Sequence, residues 1–323
     1  MKGHKTNTVS IASLADTNEI MRFINLEWKQ GHILATNKPF FLSEYQNVNN
    51  LNFVISKNEN QEINAMLGFL KSHAGDDASI WTTMWKVSKS AGSPMLGIEL
   101  LKYLRSQGYK SVMSNGINLQ TEEIYHYLGF QTGSLDHYFI PNVKLSTHTI
   151  AMFSDEVLRK NIEYCRDSDL TCREITMVDL NSKFNFKEFQ YRNPCKDLSY
   201  FERRFFKHLI YKYQVYGVFK QTRLLAFLVT RVVQYKESKC LRIVDFYGED
   251  TTLSTFTFHL SQLMVENNFE YQSIHEDLYQ IDYQRLRVVQ NSKIINFLCG
   301  IFLKSNPYLN ILTFQKSKKI DKL

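Results

Sequence analysis

The run Ser88-Lys89-Ser90-Ala91-Gly92-Ser93-Pro94 separates a β-branched and aromatic stretch, Ile80 to Val87, from Leu96, Leu100, Leu101 and Leu104, which recur at helical spacing. A loop that ends a strand and opens a helix presents unpaired backbone N–H groups at the positive end of a helix dipole, where a phosphate or pyrophosphate is held. Ser93 and Pro94 read as an N-cap followed by proline at the first helical position. Ser88, Lys89, Gly92, Ser93 and Gly97 are therefore candidate anion-binding positions. An ordinary turn with nothing bound has the same sequence signature.

A second group could hold an acceptor. Ile20, Phe23, Ile24 and Trp28 mark one face of a helix, introduced by Asp16 and Glu19 at capping-box spacing. Glu27, Trp28 and His32 then stand at its end, close in sequence to the aromatic Phe40 to Tyr45. Glu27, His32 and the distant His137 are candidate general bases, and Trp28 and Tyr45 candidate acceptor contacts. A helix that packs its tryptophan on a sheet, with His32 as a cap, would look alike.

Elements to position these groups follow in order. Asn52 to Ser56 and Ala65 to Lys71 read as a hairpin across Lys57 to Gln61, feeding the strand that ends at Val87. After the helix, stopped at Gly108, Tyr109 to Ile117 reads as a strand and Gln120 to Leu128 as a second helix ending at Gly129-Phe130. His137 to Ile140 and Thr147 to Phe153 supply further strands. The succession is an antiparallel sheet turning into βαβα, an α+β arrangement of mixed sheet and flanking helices.

Asn118 to Phe130, with Tyr125 on the helix and Gly129-Phe130 at its end, resembles the closing segment of the GNAT acyltransferases. Trp28 to Leu34, Leu67 to Phe69, Trp81 with Met84 to Val87, Leu96 to Ile98, Gly116 to Asn118 and His137 to Asn142 extend the resemblance over most of the first 145 residues. Together they look like a GNAT-type group associated with bacterial surface polysaccharide clusters. The resemblance implies acyl-CoA as co-substrate, with Asn118 and the loop at the cofactor. It implies a backbone N–H near Lys86 or Val87 facing the thioester oxygen, and Tyr125 as the acid for the departing thiolate. It also implies an amine acceptor, an amino sugar that is nucleotide-linked, approached by Trp85 and His137. The family's Arg/Gln-x-x-Gly-x-Gly/Ala loop is not intact, since no Arg or Gln leads it.

The second half repeats the plan: Tyr213 to Phe219 with Leu224 to Val233 as a hairpin, Leu241 to Gly248 as a strand, Thr252 to Asn267 as a helix and Phe269 to Ile274 as a strand. Tyr191 to Tyr211 reads as a basic, aromatic helical region. The chain is thus expected to be two tandem GNAT-like domains, residues 1–153 and 154–323, the second degenerate. Its loop, Glu249-Asp250-Thr251-Thr252, carries two acids and no further glycine, which repels a pyrophosphate. Arg204, His208, Tyr211, Asp245, Glu249, Glu276 and Asp277 are grouped as a second acceptor or regulatory site, or as surface ion pairs.

Composition narrows the classes. A chain of 323 residues, 44% hydrophobic, can bury two cores. Five cysteines, all in the second half and none in a Cys-x-x-Cys pair, argue against a disulfide scaffold or structural zinc, and no metal is expected. No apolar run approaches the roughly 20 residues that cross a bilayer, and no signal core follows Met1, so a cytoplasmic protein is expected. The net charge of +7 divides into +1 for residues 1–150 and +6 for the remainder. Basic residues interleave with acids rather than forming a stripe, so nucleic acid is not the expected partner. Two other readings stand beside the acyltransferase: a non-catalytic tandem scaffold, and an aminoacyl-tRNA-dependent transferase.

Overall fold

The computed structural model describes residues 7–93, 95–115, 117, 119–132, 138–151, 153, 155–159, 167–274 and 303–304. Its strands are β1 (Thr8–Ser13), β2 (Gln46–Asn47), β3 (Asn50–Lys57), β4 (Ile63–Lys71), β5 (Ser79–Val87), β6 (Ser111–Ser114), β7 (Tyr138–Pro141), β8 (Leu170–Glu174), β9 (Gln214–Lys220), β10 (Arg223–Tyr235), β11 (Ser238–Gly248), β12 (Tyr271–Ile274) and β13 (Leu303–Lys304). Its α-helices are α1 (Thr17–Phe23), α2 (Ile33–Thr36), α3 (Lys38–Tyr45), α4 (Leu96–Arg105), α5 (Leu119–Tyr127), α6 (Asp155–Leu158), α7 (Met177–Lys183), α8 (Leu198–Phe201) and α9 (Leu253–Glu266). Two compact units emerge, the first from residues 1–133 and 194–210, the second from 134–193 and 211–323.

The first unit carries the sheet β1-β3-β4-β5-β6, with β2 beside β3. Neighbours from β1 to β5 run antiparallel, and only β5 and β6 are parallel, joined over α4. Its strands read as apolar because both faces are covered. One face buries Phe53, Met66 and Met84 with Ile20, Ile24 and Phe41 of the helices. The other buries Leu67, Phe69 and Ile80 with Leu96, Leu100, Leu101 and Leu104 of α4 and Tyr125 and Leu128 of α5.

The second unit carries β13-β7-β12-β11-β10-β9-β8. Here β11 and β12 form the parallel pair, and α9 buries Phe256, Leu260 and Met264 against Val218, Leu228, Leu241 and Ile243. Each unit thus contains hairpin, strand, helix and parallel strand, in the order expected of a tandem mixed-sheet protein. The thiols of Cys172 and Cys240 are held up by burial, that of Cys172 to about 12, which keeps them protonated and unreactive.

Several local expectations change. The capping box is built by Ser13 and Asp16, one turn earlier than Asp16 and Glu19. Glu19 instead accepts the N–H of Ile63 at 2.7 Å, tying α1 to the start of β4. Helix α4 starts at Leu96 with Met95 as N-cap and no capping side chain, so Ser93 is not the cap. Residues Thr147 to Ala151 are not a strand, because the buried carboxylate of Glu270 accepts the N–H groups of Thr149 and Ile150 at 2.5 and 2.7 Å. A carboxylate that satisfies two consecutive amides replaces the ladder those amides would otherwise join. The helical reading of Tyr191 to Tyr211 shrinks to α8 and a single π-turn over Glu202–Phe206.

Two expectations follow. Glu270→Ala strands two amides and should lower stability by about 2–5 kcal/mol, read from urea unfolding of the whole chain. A chain cut after residue 153 leaves one fragment without residues 194–210 and the other without β7. Neither fragment alone should show a cooperative thermal transition; a sharp transition in fragment 1–153 would contradict this assignment.

Candidate active site

Strand β5 outruns its parallel neighbour. Pairing covers Ser79↔Ser111 to Thr82↔Ser114 and stops with β6, while β5 continues to Val87 beside β4. On the β4 side the register jumps from Leu67↔Trp85 to Phe69↔Thr82, so Thr83 and Met84 together oppose Gly68. This is a β-bulge, which bends the strand and re-aims its side chains. A Cβ on Gly68 would lie 2.5 Å from the Thr83 hydroxyl, so only glycine fits opposite the bulge. The Tyr45 phenol donates to that hydroxyl at 3.2 Å, and burial pushes its pKa to about 12. Tyr45 is thus a buried brace of the bulge.

The loop after β5 is short and polar. Ser88 spends its N–H on the carbonyl of Asn64 and is buried, while Ser90 and Ala91 return their N–H groups to Ser88. The backbone N–H groups of Lys89, Gly92, Ser93 and Met95 have no hydrogen-bond partner among the described residues. They lead into the ten-residue α4, whose dipole adds to them. Gly92 has φ +69° with open space around its missing Cβ. Gly97 sits where a Cβ would be 3.1 Å from Trp85 Nε1 and 3.3 Å from Val87, so its absence lets α4 lie close on β5. Lys86 is half-buried and Lys89 exposed at this end of the strand.

Glu27 meets the loop from the other side. It lies in a π-turn, Ile24–Trp28, that continues α1, and it accepts the Ser88 hydroxyl proton at 3.0 Å. The structure brings together Glu27 and the loop, 61 positions apart in the chain. His32 is elsewhere engaged. Its Nδ1 accepts the N–H of Leu34 at 3.2 Å as N-cap of α2, and burial with the nearby Lys29 lowers its pKa. The neutral ring must then carry its proton on Nε2, so no lone pair is left for a base. Trp28 is 45% exposed at the end of the π-turn.

Tyr125 lies in the core, 4% exposed, with its ring edge-on to Trp85 at 5.6 Å and to Phe130 at 5.1 Å. That packing sets the Tyr125 ring beside Trp85 of β5. Asn118 and His137 lie outside the described residues.

The residues grouped as a second site fall in both units. Arg204 and His208 belong to the first unit, where the Arg204 guanidinium binds the Glu44 carboxylate and His208 Nε2 stands 3.8 Å from it. Asp245 belongs to the second unit, buried on β11, where it accepts the N–H of Phe246 at 2.8 Å. Glu276 and Asp277 lie outside the described residues. Glu44 had only its place in an aromatic stretch to mark it, since its two partners come from 160 residues further on. Among the described residues no three His, Cys, Asp or Glu side chains could share a metal.

The loop after β11 in the second unit is differently filled. The N–H of Glu249 goes to Leu225, and the buried Arg192 donates to the carbonyl of Gly248 and to Asp250 at 2.8 Å. A guanidinium paired with the Asp250 carboxylate thus stands at this loop.

No family model and no curated protein matches the sequence. Solved structures do resemble the fold. A GCN5-related N-acetyltransferase from Anabaena variabilis matches with a TM-score of 0.56 at 11% identity, over 83% of this chain and 65% of that one. A probable N-acyltransferase from Enterococcus faecalis, of unknown function, matches with a TM-score of 0.54 at 9% identity over the same shares. The chain therefore spans just under two thirds of the length of these two structures. At these identities the likeness shows the fold, a tandem of GCN5-related N-acetyltransferase type. No described helix is long and apolar enough to cross a membrane.

Gly92→Val tests the loop. With nothing near the new side chain, the cost is the left-handed backbone alone, about 1–2 kcal/mol in denaturant unfolding. A larger loss would mean that the loop is packed rather than open.

Proposed function

We propose that the chain is an N-acyltransferase that moves a short acyl group from acyl-CoA to an amine, using the first unit. The observation that carries this reading is the end of β5, unpaired on its β6 side among the described residues, followed by the bare amides of Lys89, Gly92, Ser93 and Met95 that lead into α4. A strand edge without a neighbour can hydrogen-bond an extended amide-containing chain, as pantetheine is. The bare amides and the dipole behind them suit its pyrophosphate. Lys86, Val87, Ser88, Lys89, Gly92, Ser93, Gly97 and Asn118 form this cofactor site.

Glu27 takes the proton of the attacking amine, directly or through water, and a backbone N–H near Lys86 or Val87 holds the oxyanion. Tyr125 supplies the proton to the departing thiolate. Trp28 and Trp85 contact the acceptor, which we propose to be an amino sugar of surface glycan synthesis; only the sequence resemblance supplies the sugar. The second unit, with Arg192 and two acids at its loop, is a copy without acyl-CoA, so one molecule binds per chain. Two fold neighbours with TM-scores above 0.5 are named for N-acyl transfer, which supports the reading.

Thermal denaturation with acetyl-CoA is the direct test. At 100 times the dissociation constant, binding stabilises by about 2.7 kcal/mol. No shift at millimolar acetyl-CoA would leave the non-catalytic scaffold as the better account. Tyr125→Phe keeps the packing and removes only the hydroxyl. It should lower kcat by about 10²–10⁴ with acetyl-CoA binding intact, and an unchanged kcat would return Tyr125 to a core role. Glu27→Gln should lower kcat by about 10²–10⁴ with acetyl-CoA binding intact, and an unchanged kcat would remove Glu27 from the reaction.

A further inference from the structure

The helix that carries Glu27 has a second working face. Glu19, Phe23 and Glu27 point to the sheet, where Glu19 binds the N–H of Ile63 and Glu27 the Ser88 hydroxyl. One step round the helix, Asn18, Arg22 and Asn25 line an open groove of about 390 Å³ with Met21, and Ala35, Thr36 and Lys38 close its other side. No carboxylate lines it.

Its hydrogen-bonding groups are sorted by partner. The Asn25 carbonyl oxygen accepts the Gly31 N–H at 2.8 Å, and the Asn18 oxygen accepts the Lys38 ammonium at 3.0 Å. Both partners are donors, so each amide must present its oxygen to them and keep its NH₂ for something else. Thr36 directs its hydroxyl proton at the carbonyl of His32. Neither Arg22 nor Lys38 has a carboxylate partner among the described residues. Two cations and two amide NH₂ groups therefore line one groove whose amide acceptors are already engaged.

We propose that this groove binds the phosphate of a small phosphate-bearing ligand other than the acyl donor. Several donors from different directions, including a guanidinium, suit a dianion with three or four acceptor oxygens better than a flat carboxylate. The volume is at the lower end of small-molecule sites, enough for a mononucleotide-sized group. The site stands apart from the acyltransfer reading and does not need it.

The test is a titration of the ¹⁵N-labelled whole chain with inorganic pyrophosphate, ADP and acetyl-CoA in parallel. Pyrophosphate and ADP should shift the side-chain NH₂ signals of Asn18 and Asn25, and raised salt should weaken the effect. The double substitution Arg22→Ala/Lys38→Ala, at exposed positions, should weaken this response about tenfold or more. Signals of Gly92 and Ser93 report the α4 loop separately, so failure of that site and of this one are distinguishable. Asn18 and Asn25 signals that stay still at millimolar pyrophosphate overturn the proposal, as does an undiminished response in the double variant. Acetyl-CoA shifting the same two signals would also overturn it, by giving the groove to the donor's own nucleotide.

Discussion

One backbone mismatch governs the first unit: β6 stops at Ser114 opposite Thr82, and β5 goes on to Val87. A sheet normally satisfies its amides by pairing, so a strand with no neighbour on one side for five residues, among the described residues, must be held by other means. Here β4 holds one side, the Thr83–Met84 bulge bends the strand opposite Gly68, and Tyr45 braces the bulge from α3. The apolar layers of α4 and α5 beneath, with Trp85 and Tyr125 in contact, keep the strand in place without closing its free edge.

Function and packing are thereby separated by face. The α4 side carries the loop amides, Gly97 and Tyr125. The α1 side brings Glu27 across to Ser88, so that a carboxylate stands at the loop after β5. Ser88 sits between the two, with its N–H fixed to Asn64 and its hydroxyl given to Glu27. The same physics runs the other way in the second unit, where Arg192 is buried with its charge against Asp250 and Gly248.

Much of this was legible in the sequence because it is local. The strand ending at Val87, the polar loop, the leucines of α4 and the Gly129 stop each follow from short-range propensity and period. The repeat of hairpin, strand, helix and strand in the second half was legible for the same reason. What could not be read depends on long-range pairing. Nothing in Thr8–Ser13 announced β1, which becomes a strand by pairing with β3. Residues Thr147 to Ala151 look like a strand until Glu270, some 120 positions later, takes their amides. Arg204 and His208 pack with Glu44, at least 160 positions earlier, which no local pattern announces. His32 was chemically plausible as a base, and its lone pair turned out to cap α2.

The central claim is that the amides at the end of β5 and the start of α4 receive a ligand's diphosphate and its amide chain. Backbone ¹⁵N spectra of the intact chain with and without acetyl-CoA test it most directly. The account predicts that the amides of Lys86, Val87, Lys89, Gly92 and Ser93 move together and saturate, while those of Glu249 to Leu253 in the second unit stay in place. Perturbations confined to other parts of the chain, or none at saturating ligand, would contradict it.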